Sequence, residues 1–145
     1  MDILIDTNVL IDHLQPNPSE AANAAKILQF CRDKHCNGYM AAHSITNSFY
    51  ILRKFYSETD RKKMLLALCN LIEVVDLRKD FIKNALNDAA FSDFEDRLQY
   101  ECAQDVHADY IITRNISDFT NSTITAISPA DFITLMVNQE QKIKN

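Results

Sequence analysis

The sequence predicts an α/β fold, a parallel sheet of about five strands with helices on both faces. Three observations predict it. Short β-branched or apolar runs recur at Ile3–Ile5, Gly38–Ala41, Glu73–Asp76, Tyr110–Ile112 and Thr123–Ile127. The first four runs are separated by stretches with apolar residues at helical spacing, and strand–helix alternation of that kind builds a parallel sheet. Serines stand where those helices should begin, at Ser19, Ser57, Ser92 and Ser128.

Each element has its own local reason. Ile3-Leu4-Ile5 ends at Asp6, and a helical stretch follows from Val9. Pro16 and Pro18 break it, because a proline inside a helix removes a hydrogen bond and clashes with the preceding turn. Ser19 opens a helix to about Lys34, with Ala22, Ala25, Ile27 and Leu28 on the 3.6-residue period. Apolar residues from Ile45 to Phe55 give the next helix, and Ser57 caps another ending near Ile72. A helix from about Asp80 to Ala90 follows the third strand. Ser92 starts one with Leu98, Cys102 and Val106 on one face, and Ser92-x-x-Glu95 has the form of a capping box. Ser128-Pro129-Ala130-Asp131 combines a capping hydroxyl, a first-turn proline and an acid at the positive helix end. Residues 1–138 are expected to form a single domain and 139–145 a polar, frayed tail.

Composition narrows the function classes. The chain has 145 residues, 47% apolar and 24% charged, which suits one soluble domain. Its single glycine, Gly38, excludes a Walker loop and the GxGxxG dinucleotide fingerprint, both of which need several. No apolar run approaches the roughly 18 residues of a membrane span. Asp2, Asp6 and Asp12 stand where a signal peptide would need basic and then apolar residues, so a cytoplasmic location is expected. The net charge of −5 does not advertise a nucleic-acid binder, although a bound metal can invert the charge of a local acidic site. Cys31, Cys36, Cys69 and Cys102 form no CxxC pair and read as reduced, largely buried thiols; Cys31, His35 and Cys36 lack the paired spacing of a zinc site. His13, His35, His43 and His107 share no spacing and read as surface or packing residues.

Ligands of parallel sheets sit beyond the carboxyl ends of the strands. Asp6 directly follows the first strand and Asp118 lies soon after the fourth. Asp93, Glu95 and Asp96 open the helix before that fourth strand, and Asp93 and Asp96, three apart, share a helix face. Carboxylates converging in one cleft repel one another unless a hard cation sits between them. Mg²⁺ or Mn²⁺, which takes oxygen ligands and can bind substrate phosphates, is the expected cofactor, and phosphodiester hydrolysis the expected chemistry. Each acid also has a structural reading. Glu95 completes the capping box, Asp93 and Asp96 suit a helix N-terminus, Asp6 suits an N-cap, and Asp118 suits a loop end.

Three segments resemble the motifs of PIN domains, in the family's order and across nearly the whole chain. They are Ile3-Leu4-Ile5-Asp6-Thr7-Asn8-Val9-Leu10-Ile11-Asp12, Phe94-Glu95-Asp96-Arg97-Leu98-Gln99, and Tyr110-Ile111-Ile112-Thr113-Arg114-Asn115 with Asp118-Phe119. The resemblance implies a three-layer α/β/α sandwich and a metal-dependent nuclease, mostly a ribonuclease. Many single-domain bacterial members are VapC-type toxins paired with an antitoxin, and homodimers are common. Carried over by position, Asp6, Asp96 and Asp118 would bind the metal, Asn115 would fall at a position often acidic or Asn, and Thr113 would orient a ligand or water. Most members carry a Glu on the helix after the second strand. Here Asn47 takes its place, as in one subgroup, and an amide oxygen can ligate Mg²⁺ but brings no charge. Asp93 is the expected compensating carboxylate.

RNA would still have to approach an acidic cleft. Arg114 and Asn115 beside the site, with Arg53, Lys54 and Arg97, are expected to hold phosphates, and the run Arg61, Lys62, Lys63 reads either as a further contact or as a solvated helix face. Tyr50 and Tyr100 suit either base stacking or core packing. The expected activity is a Mg²⁺-dependent endoribonuclease, possible toxin of a toxin–antitoxin pair; the alternative is a catalytically weak PIN domain that binds nucleic acid or protein. A phospho-receiver domain would need paired acids after the first strand and a Lys after the last, and a haloacid-dehalogenase-type phosphatase would need Asp-x-Asp. Asp6-Thr7-Asn8 and Ser128-Pro129 supply neither.

Overall fold

The computed structural model describes residues 1–16 and 19–145, so the break expected at Pro18 lies outside the described residues. The chain runs β1 (Asp2–Ile5), α1 (Thr7–Leu14), α2 (Ala21–Arg32), β2 (Asn37–Ala41), α3 (Ala42–Ile51), a 3₁₀ turn (Leu52–Lys54) and α4 (Glu58–Leu71). It continues with β3 (Glu73–Val75), α5 (Lys79–Asn87), α6 (Phe94–Asp105), β4 (Tyr110–Ile112), a 3₁₀ turn (Ile116–Phe119), β5 (Thr125–Ile127) and α7 (Pro129–Lys144). All strand pairs are parallel, in the order β3-β2-β1-β4-β5. Leu4 stands beside Tyr39 on one side and Ile111 on the other.

The period of two along each strand sorts the core into two layers. Ile3 and Ile5 of β1, Met40 of β2 and Ile112 of β4 face one cluster with Leu10, Ile27, Leu28, Leu68 and Phe132 from α1, α2, α4 and α7. Leu4, Ala41, Val75 and Ile111 face the other, with Phe81, Ala85, Leu98 and Ala103 from α5 and α6. Helices therefore cover both faces, and the three-layer α/β/α sandwich is the observed architecture.

The strand order reverses direction at β1. From there the chain goes to β2 on one side, while β4 occupies the other. The carboxyl ends of β1 and β4 thus flank a topological switch point, where the diverging connections leave a crevice. Asp6 N donates to Ile112 O at 2.9 Å, so the first residue past β1 stays tied to the end of β4.

Several local expectations need correction. The α6 cap is Asp93, whose side chain accepts from Asp96 N, and Ser92 lies outside the helix. The capping box at Ser92 and Glu95 is therefore absent. The helix expected from Ser19 begins at Ala21 with no side-chain cap. The polar residues from Gln139 are helical as far as Lys144, continuing α7 rather than fraying. Ser57 and Ser128 do cap their helices, accepting from Asp60 N and Asp131 N. No helix among the described residues is long and apolar enough to cross a membrane.

Candidate active site

Asp6 directly follows β1 and is the N-cap of α1, with its backbone extended and its side chain turned toward the helix start. Its carboxylate is buried and fully engaged. Thr7 N donates to Oδ1 at 2.8 Å, Thr113 Oγ1 donates to Oδ2 at 2.8 Å, and Asn8 Nδ2 donates to Oδ2 at 3.2 Å. Thr113, just past β4 and wholly buried, accepts in turn from Asn115 N at 3.0 Å. The triplet Asp6-Thr7-Asn8 and Thr113 therefore form one hydrogen-bonded unit across the switch point.

The acids expected at strand ends act on one another electrostatically there. Burial, and then the neighbouring charges of Asp118 and Asp93, hold the Asp6 carboxyl above the usual carboxylate range, against the pull of its hydrogen bonds. Burial pushes Asp96 up to about 7, with further like-charge contributions from Asp6, Asp93, Asp118 and Glu95. Asp93 Oδ1 accepts from Asp96 N at 3.0 Å, so the cap that starts α6 also holds an acid beside Asp96. Three segments remote in sequence thus place the carboxyl groups of Asp6, Asp93, Glu95 and Asp118 within electrostatic reach of Asp96. Their oxygen-only donor set suits a hard divalent cation. Among the described residues, no three acidic, His or Cys side chains are grouped closely enough to hold a metal ion.

Asn47, on α3, donates from Nδ2 to Glu95 Oε2 at 3.2 Å. The carboxylate missing from α3 is thus met by one from α6. Sequence reasoning had placed Glu95 at a cap and missed this role; the two residues are 48 apart, and no local pattern announces the contact. His43, one turn before Asn47, has its pKa lowered by burial while Glu95 opposes the shift, and neither of its ring nitrogens finds a hydrogen-bond partner.

Beneath the acids lies a second polar set that the sequence did not reveal. Gln99, buried on α6, donates from Nε2 to Thr7 Oγ1 at 3.1 Å and to Ser44 Oγ at 3.0 Å, and those two hydroxyls are 2.7 Å apart. It ties together α1, α3 and α6, the helices that carry Asp6, Asn47 and Asp96. Asp12, also buried, receives Arg114 in a two-pronged contact, Nε to Oδ2 at 2.6 Å and Nη2 to Oδ1 at 3.2 Å. Arg114 N lies 3.4 Å from Asn8 Oδ1, so this residue is anchored beside the site at two points.

The expected nucleic-acid contacts divide. Arg114 and Asn115 are exposed at the site, and Arg53 and Lys54 are exposed on the 3₁₀ turn after α3. The Arg53 guanidinium lies 3.6 Å over the exposed Tyr50 ring. Arg97 is a correction: it is buried, paired with Asp88 at 2.7 Å and Glu101 at 3.0 Å, and lies over the Phe91 and Tyr100 rings. Tyr100 is buried too, stacked on Phe91 with its hydroxyl 2.8 Å from Thr123 Oγ1, so packing is its role. Arg61 folds back onto Phe49 O at 2.8 Å, and Lys62 pairs with Glu58 at 3.1 Å.

Comparison with known proteins gives a consistent picture. The family model described as PIN domain matches residues 2–117. No curated protein matches the sequence. Among solved structures, a toxin–antitoxin complex from Klebsiella pneumoniae superposes with a TM-score of 0.65 at 20% identity, covering 88% of this chain and 97% of that one. VapBC2 from Rickettsia felis, bound to a DNA fragment from its promoter, gives 0.64 at 14% identity, with 88% and 98% covered. VapC20 from Mycobacterium tuberculosis, described as a sarcin–ricin loop cleaving toxin, gives 0.61 at 11% identity, with 75% and 86% covered. At these identities the likeness is one of fold.

Proposed function

The chain belongs to the PIN-domain family, and from that premise we propose that it is a cytoplasmic, metal-dependent endoribonuclease acting as the toxin of a toxin–antitoxin pair. The observation that supports this reading is that Asp6 and Asp96, beside the switch point, have their carboxyl pKa values raised, first by burial and then by the charges of neighbouring acids including Asp93 and Asp118. A cluster so costly to ionise is favoured where a cation is meant to complete it.

Asp6, Asp96 and Asp118 would hold Mg²⁺ or Mn²⁺, with Asp93 adding charge beside them. When bound, the ion supplies Lewis-acid polarisation of the scissile phosphate and a nucleophilic water at neutral pH. The protein's own residues do the positioning. Thr113 and Thr7 N fix the orientation of the Asp6 carboxylate. A bound cation would favour the ionised form of Asp96, whose carboxyl burial holds at about 7. Arg114, braced by Asp12, has guanidinium surface left exposed for a substrate phosphate, and Asn115 stands next to it. Arg53 and Lys54 extend the contact along the RNA backbone, and hydrolysis leaves a 5′-phosphate and a 3′-hydroxyl. A homodimer is part of the proposal, supported by Tyr50, Ile51 and Phe55 exposed together at the end of α3. The toxin–antitoxin nature of the structural neighbours supports a cognate antitoxin as partner.

A second reading has one observation in its favour: Asn47 brings no charge where most of the family has Glu, and its amide is occupied by Glu95. On that reading the chain is a catalytically weak domain that binds RNA or protein. Both are tested by incubating single-stranded RNA with the protein and Mn²⁺ or Mg²⁺, against EDTA, and repeating with Asp6→Asn and Asp96→Asn. Cleavage by wild type alone supports the nuclease. RNA binding without cleavage by all three supports the second reading.

A further inference from the structure

Away from the acidic crevice, at the amino end of the sheet, the turn between α2 and β2 brings two thiols together. α2 ends in a left-handed turn at Lys34, whose φ is +59°. Lys34 N donates to Cys31 O at 3.1 Å and His35 N to Phe30 O at 2.9 Å, the paired hydrogen bonds of a Schellman cap. The apolar contact that accompanies such a cap is made by the His35 and Phe30 rings, 6.2 Å apart. This reversal lays Cys36, the residue before β2, against Cys31 in the last turn of α2. Their sulfurs are 3.7 Å apart.

Both thiols are largely buried, and two features define their surroundings. The chain's one glycine makes the room: a Cβ at Gly38 would stand 2.7 Å from Cys31 Sγ and 2.7 Å from Ile72 Cγ2. The pair also forms part of the wall of an open groove of about 400 Å³ that presents the Lys34 and Glu73 side chains. The hydrogen bond between the thiols divides their acidity, lowering the Cys36 pKa and, with burial, raising that of Cys31. Cys102, by contrast, is wholly buried with its thiol pushed up to about 12, and Cys69 has no partner sulfur.

We propose that Cys31 and Cys36 form a dithiol–disulfide modification site that reacts with low-molecular-weight disulfides of the glutathione class. Cys36 thiolate attacks one sulfur of the incoming disulfide, forming a mixed disulfide and expelling one thiolate, which takes up the Cys36 proton. Cys31 then attacks the Cys36 sulfur, its proton going to the second departing thiolate. The products are one intramolecular disulfide and two small thiols, so the protein loses two electrons and two protons and the reagent gains them. The sulfurs must close from 3.7 Å to about 2.05 Å.

The test is incubation of the whole chain with oxidised glutathione, acid quenching, alkylation of free thiols and mass mapping. The expected result is loss of two hydrogens, a linked peptide joining Cys31 to Cys36, alkylated Cys69 and Cys102, and full reversal by dithiothreitol. Cys31→Ser is expected to trap a stable glutathione adduct on Cys36, and Cys36→Ser to leave Cys31 unmodified over the same time. Four alkylated cysteines in wild type, or modification of Cys69 ahead of an untouched Cys31–Cys36 pair, would overturn the proposal. The wild-type arm decides the matter even where a variant folds poorly.

Discussion

Thr113 Oγ1 donates a 2.8 Å hydrogen bond to Asp6 Oδ2 across 107 residues of sequence. The bond joins the carboxyl ends of β1 and β4, the two strands that flank the switch point of the sheet. It fixes the rotamer of one acid in a cluster whose other members arrive from α6 and from the loop after β4.

Thr113→Val keeps the shape of the side chain and removes this bond together with the one Thr113 accepts from Asn115 N. Because Thr113 is wholly buried and Asp6 nearly so, the loss is expected to cost about 1–3 kcal/mol of stability, the range for leaving a buried acceptor short of a partner. Urea denaturation measures it. A change under a few tenths of a kcal/mol would show that Asn8 and Thr7 N hold Asp6 without help.

Metal-free stability should depend on pH through Asp96. Its carboxyl moves from 3.8 to about 7 on folding, so between those values the folded state binds more protons than the unfolded one. Stability therefore falls as pH rises from about 4 to 7 and levels off above. Asp96→Asn is expected to flatten that slope and to melt several degrees higher than wild type at pH 7.5 in EDTA, at roughly 3–5 °C per kcal/mol. Parallel pH profiles for the two proteins would contradict the cluster as described.

Asp12 and Arg114 should be energetically coupled. A double-mutant cycle with Asp12→Asn and Arg114→Gln is expected to give a stability coupling of about 1 kcal/mol, since the contact is two-pronged but the arginine is partly exposed. RNA binding should weaken in Asp12→Asn as well as in Arg114→Gln. Full additivity would mean that the pair does not position Arg114.

Arg97→Ala tests the correction made to that residue. It strands Asp88 and the buried Glu101, and a loss of about 3 kcal/mol is expected. RNA affinity per folded molecule should not change. A tenfold loss of affinity at unchanged stability would return Arg97 to the binding surface.

What could be read in the sequence follows the range of the signal. β1 was legible because Ile3, Leu4 and Ile5 are fully apolar, as a strand buried on both faces must be. The positions of Asp6 and Asp118 past the ends of β1 and β4 were legible because strand–helix alternation marked where those strands stop. The α6 cap was misplaced by one residue because Ser92 and Asp93 are both good caps, and only the backbone decides between them. Arg97 was placed on the wrong face for a related reason: helical spacing shows that residues share a face, not which face turns inward. Gln99, Asp12 and the Asn47–Glu95 contact were beyond reach, since their partners lie 92, 102 and 48 residues away.

The central claim is that Asp6, Asp96 and Asp118 form one pocket completed by a hard divalent ion. Calorimetric titration with Mn²⁺ at pH 6, in two buffers of different ionisation enthalpy, tests it without requiring RNA. The account predicts one saturable site whose filling releases close to one proton, with the release lost in Asp96→Asn and the affinity reduced at least tenfold in Asp6→Asn. Equal Mn²⁺ binding by all three proteins, or none by wild type, would contradict it.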